Sequence, residues 1–93
     1  MRKSYLLVYN DNFGTREEAK EVLNKIAEIS NWRYDMPYMF YIVSEYSAKQ
    51  IASKIREHIG KGAFIVTENT DNSYGWLNGE SWYLLQNKVH KPK

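Results

Sequence analysis

Five large apolar or aromatic residues stand in a row at Tyr5-Leu6-Leu7-Val8-Tyr9, with no polar residue between them. Such a run predicts a strand covered on one whole face and on much of the other. It breaks into Asn10-Asp11-Asn12-Phe13-Gly14, where Asn, Asp and Gly favour a turn. Thr15 then opens a helix as a capping box: its hydroxyl accepts the Glu18 amide while the Glu18 carboxylate reaches back to the Thr15 amide. Ala19, Val22, Leu23, Ile26 and Ala27 recur at helical spacing as one apolar stripe, and Glu17, Lys20, Glu21, Lys25 and Glu28 fill the solvated faces. Ser30-Asn31 ends this helix. Trp32-Arg33-Tyr34-Asp35 alternates aromatic and polar residues, which predicts a short, half-buried strand at a sheet edge, stopped by Met36-Pro37. The next strand, Tyr38 to Ser44, is again nearly all apolar and lies close enough in sequence to form an antiparallel hairpin with it.

Ser47 opens a second helix with Gln50 at the capping-box position. Ala48, Ile51, Ala52, Ile55 and Ile59 face the core, and Gly60 is placed as a left-handed C-cap. Gly62 to Thr67 is the last apolar strand, Glu68 to Ser73 a polar loop, and Tyr74-Gly75-Trp76-Leu77 an apolar return. Asn78-Gly79-Glu80 caps a last short helix carrying Trp82, Leu84 and Leu85, and the chain ends in a basic tail over residues 88–93. Strand, helix, strand, strand, helix, strand is a pair of interlocked split βαβ units. The expected fold is an α+β, ferredoxin-like βαββαβ sandwich in one domain, with its core at about residues 4–87. The antiparallel sheet order is 4-1-3-2, with two helices on one face. The two unbroken apolar runs then fall on the central strands and the polar Trp32–Asp35 strand on an edge.

Charge changes the picture only when it is divided. The net +2 arises because Arg2, Lys3, Lys88, Lys91 and Lys93 sit at the two ends, while residues 4–87 hold eight basic and eleven acidic side chains. A nucleic-acid-binding surface concentrates Lys and Arg on the folded body. Nucleic acid is therefore not the favoured partner, with Arg33, Lys88 and Lys91 as the candidate contacts. The chain lacks Cys, which removes disulfides, thiolate catalysis and Cys-ligated metal. Five apolar residues after the basic start are too few for a signal or a membrane span, so the expected location is cytoplasmic, with no membrane partner.

The candidate chemistry is sparse. His58 and His90 have no nucleophile-elbow context and no zinc spacing, so neither a catalytic residue nor a metal site is assigned and no cofactor is expected. Glu17-Glu18 suits a helix start. Asn12-Phe13-Gly14-Thr15, leading into a helix N-terminus, offers free amides to an anion but lacks the Gly-rich run and Lys of a phosphate-binding loop. The sheet aromatics Trp32, Tyr34 and Tyr38 are read as core in preference to a base-stacking surface.

Tyr5-Leu6-Leu7-Val8-Tyr9-Asn10 resembles the opening of Cas2-like proteins, the ferredoxin-like superfamily that includes the CRISPR adaptation protein and the VapD toxins. Asn31-Trp32 with Pro37, Phe40-Tyr41-Ile42-Val43-Ser44, Ser47-Ala48-Lys49-Gln50-Ile51, Gly75-Trp76-Leu77 and Glu80-Ser81-Trp82 resemble the small SinR-like bacterial proteins within it. The resemblance spans about residues 4–87. It implies a homodimer and, in its nuclease members, a divalent metal held by an aspartate directly after the first strand. Here Tyr9-Asn10 occupies that place, and a neutral amide is a poorer ligand for a hard cation. Asp11 is the one candidate left for Cas2-type, Mg- or Mn-dependent cleavage, and a one-residue shift along a strand turns a side chain to the other face. The favoured function is non-catalytic protein–protein association as a homodimer, through an unpaired sheet edge or through Trp76, Trp82 and Tyr83, which equally suit closure of the monomer's own sheet.

Overall fold

The computed structural model describes residues 1–92; Lys93, the end of the basic tail, lies outside them. Its elements are β1 (Lys3–Tyr9), α1 (Arg16–Lys25), β2 (Ile29–Arg33), β3 (Met39–Ser44), α2 (Ala48–His58), β4 (Phe64–Asn69) and α3 (Gly79–Asn87). All strand pairs are antiparallel and the sheet order is β2-β3-β1-β4, the ferredoxin-like order expected from the sequence. The nearly unbroken apolar runs occupy the two central strands, and every residue of β3 is buried.

Alternation along β1 serves two cores. Tyr5, Leu7 and Tyr9 point to the face covered by α1 and α2, where they pack with Phe13, Leu23, Phe40, Ile42, Ile51 and Ile55. Leu6 points to the opposite face, where Met39, Tyr41 and Val43 meet Leu84 and Leu85 of α3. The short C-terminal helix thus closes part of the second sheet face, as a two-periodic strand requires if both faces are to be buried. Ser4, fully enclosed there, donates its hydroxyl to the Leu85 carbonyl at 3.0 Å.

Both capping boxes form as read: Thr15 with Glu18, and Ser47 with Gln50. The bonds from Thr15 hold the Glu18 carboxyl below the usual Glu range.

Besides short shifts at strand ends, where β2 stops at Arg33 and not Asp35, β3 starts at Met39 and not Tyr38, and β4 runs on to Asn69, two boundaries differ from the sequence reading. First, α1 stops at Lys25, with Ile26 extended as its C-cap; Ile26 and Ile29 are both buried, and the chain turns between them to deliver each to the core. The segment Ser30-Asn31 therefore belongs to β2, which starts at Ile29 and carries a bulge between Ile29 and Asn31. Second, α2 ends on Ile59 in an extended conformation, not on a left-handed Gly60. The left-handed glycine is Gly62 (φ 75°), where a Cβ would come within 2.2 Å of the Phe13 amide nitrogen. Only a residue without a side chain permits that approach, so Gly62 and Ala63 lead into β4 and do not start it. The apolar return at residues 74–77 adds no strand to the sheet.

Candidate functional site

The turn after β1 is ordered by backbone-like contacts. Asn10 continues the β1–β4 ladder past the end of β1: its amide donates to the Ala63 carbonyl, and its side-chain oxygen accepts the Ala63 amide at 3.1 Å. The Asn10 side-chain amide is thus engaged in joining β1 to β4. Asp11, one residue on, is exposed and lines a cleft of about 350 Å³ together with Tyr9, Thr15, Arg16, Pro37 and Tyr38. Arg16 sits with its guanidinium 4.2 Å above the Tyr34 ring. Burial raises the Tyr9 phenol, a shift that the neighbouring Arg16 partly offsets. Among the described residues no three His, Cys, Asp or Glu side chains come together as a metal-binding group.

Arg33 is placed inside the molecule's own polar lock. Its Nε donates to Ser81 Oγ at 2.9 Å, and its terminal nitrogens donate to Glu80 at 3.1 Å and to the Asn78 side chain at 3.3 Å. The Ser81 hydroxyl donates a hydrogen bond to Asp35 at 2.7 Å, and the second Asp35 oxygen accepts the Tyr41 hydroxyl at 2.6 Å. Asn78 also caps α3 by accepting the Ser81 amide. Burial, reinforced by the hydrogen bond to Asp35, pushes the Tyr41 phenol far above the ordinary tyrosine range. The lock joins the β2–β3 turn to the start of α3. At the other end of the helix, Lys88 takes the left-handed C-cap conformation and donates Nζ to the Leu85 and Gln86 carbonyls. Lys91 is exposed in the tail. Trp32 and Tyr34 pack their rings edge-on against Phe40 as partners of the main core.

The C-terminal aromatics divide between two environments. Trp82 packs with Leu6 and Leu77 against the second core, and Tyr83 is half-buried. Trp76 is 87% exposed and forms an edge-to-face pair with Tyr74, itself 86% exposed.

The cover provided by α3 is incomplete. On the flank of the sheet formed by β1 and β4, Val8 is 44% exposed and its direct cross-strand neighbour Ile65 is 60% exposed. Beside them, between β4 and α2, runs a groove of about 690 Å³. Sequence reasoning missed this flank because Phe64-Ile65-Val66-Thr67 reads as a uniformly apolar strand. Its true pattern, half-buried and exposed in alternation, is that of an edge strand covered on one face.

The two edges of the sheet are finished differently. β2 has a bulge and ends in the charged Arg33; β4 has an unbroken register, no Pro, no Lys and a single charge, Glu68. Bulges, Pro and Lys are the usual devices that stop an edge from pairing with another chain.

No helix among the described residues is long and apolar enough to cross a membrane. No family model, no curated protein and no solved structure matches the chain.

Proposed function

We propose that this chain is a Cas2-like, SinR-like ferredoxin domain that acts without catalysis, through protein–protein association, as a homodimer. The observation that carries the reading is the asymmetry of the sheet: β2 is bulged and charged, whereas β4 keeps an unbroken register and carries exposed Ile65 beside exposed Val8 of β1. A regular edge of this kind is a template for another strand. Trp76 and Tyr74 add exposed aromatic surface of the type that anchors interfaces.

The test is molar mass in solution across a concentration series, by light scattering, for the native chain and for Ile65→Lys. The native chain is expected at twice its monomer mass and the variant at the monomer mass, with unchanged circular dichroism because Ile65 already faces solvent. A native chain that stays monomeric at high concentration overturns the proposal.

Metal-dependent cleavage is the second reading, supported by Asp11 lining the same cleft as Tyr9 and Arg16. It requires a Mg- or Mn-dependent shortening of a single-stranded oligonucleotide that Asp11→Ala abolishes.

A further inference from the structure

The free edge of β4 also specifies how a second copy would sit on it. The Asn10 amide bonds the Ala63 carbonyl, so Ala63 turns its backbone groups inward toward β1. Alternation assigns the same direction to Ile65 and Thr67, which oppose Val8 and Leu6. Phe64, Val66 and Glu68 therefore carry the outward-facing amides and carbonyls. Pairing with a second β4 about a twofold axis at Val66 matches each of these with another: Val66 with itself, and Phe64 with Glu68 in both directions. Shifting the axis by one residue either way leaves one of the three without a partner from the set.

Side chains favour the same register. The guanidinium of Arg56 lies 4.8 Å from the centre of the Phe64 ring, held there by bonds to the Ile59 and Gly62 carbonyls. It forms no salt bridge among the described residues, and neither does Glu68. Placing Glu68 of the second copy opposite Phe64 brings that carboxylate to Arg56, and the twofold axis repeats the pair. Cross-strand opposite charges of this kind set register and partner choice. The groove beside the edge is lined on α2 by the small residues Ala48, Ala52 and Ser53 together with the charged Lys49, Arg56 and Glu57.

We infer that the partner on this edge is a second copy of the chain, joined β4 to β4 in antiparallel register centred on Val66 and fixed by reciprocal Glu68–Arg56 ion pairs. This rests on the association reading above and adds its geometry.

Two experiments test it. The chain has no cysteine, so Val66→Cys supplies one thiol per copy. Hydrogen-bonded antiparallel partners have Cα atoms about 5.5 Å apart, within disulfide reach. Mild oxidation is expected to link the Val66→Cys protein as a dimer, and to do so faster than Ile65→Cys or Thr67→Cys. In parallel, Glu68→Arg and Arg56→Glu are each expected to weaken dimerisation at least about tenfold, and the double variant to recover most of the loss. Crosslinking at Ile65→Cys or Thr67→Cys without Val66→Cys would displace the register. A dimer indifferent to both charge reversals and to all three cysteines would overturn the edge assignment while leaving association standing. Glu68→Arg carries the charge test alone if Arg56→Glu, which also loses two carbonyl contacts, does not fold.

Discussion

At the scale of single residues, the chain spends its polar side chains on holding itself together. Asn10 extends a ladder, Arg33 ties the end of β2 to a helix, and Lys88 closes that helix. Tyr41 has a consequence for pH. Its phenol is raised above the unfolded value by burial and by the bond to Asp35, and the phenols of Tyr5 and Tyr9 are raised by burial as well. An acid that prefers its neutral form in the folded state binds more protons folded than unfolded once pH passes its unfolded value, about 10 for tyrosine. Stability is therefore full below about pH 10 and falls as pH rises beyond it. Denaturant melts at increasing pH are expected to show this alkaline loss, and Tyr41→Phe to make it shallower. A Tyr41→Phe curve parallel to the native one would remove Tyr41 from the explanation.

At the scale of elements, α3 is fixed at its two ends more than along its length. The Asp35–Ser81–Arg33 lock holds its start, and Ser4 and Lys88 hold its last turn. Asp35→Ala leaves the buried Tyr41 hydroxyl without an acceptor and frees Ser81, at a cost of about 2–3 kcal/mol. Faster amide exchange concentrated in α3, with the central strands still protected, is the expected pattern; uniform loss across the sheet would mean that α3 is not a separable unit. Helix starts were legible in the sequence because Thr15-x-x-Glu18 and Ser47-x-x-Gln50 are local chemistry. Sheet order was legible because apolar runs and edge alternation follow burial. Helix ends were not, because Ile26 and Ile59 leave their helices to reach core positions created by distant strands. Nor was the lock: Arg33, Asp35 and Ser81 are separated by up to 48 residues, and nothing local marks them as partners.

At the scale of the whole molecule, the question is what covers β4. A domain of this size buries a modest fraction of its surface and is only marginally stable. Here α1 and α2 bury the central strands on one sheet face but leave Phe64 and Val66 of β4 half-buried, while α3 covers the other face only in part and leaves Val8 and Ile65 in contact with water. If a second copy pairs at this edge, association stabilises the folded state by mass action, so the melting temperature depends on protein concentration. For unfolding directly from dimer to unfolded chains, a tenfold rise in concentration adds about 0.7 kcal/mol per protomer, which raises Tm by about 3–5 °C for a domain this small. Ile65→Lys is expected to abolish that dependence and to melt at one temperature whatever its concentration. A native Tm that does not move between micromolar and millimolar protein would mean that the open flank contributes nothing to stability by pairing with itself.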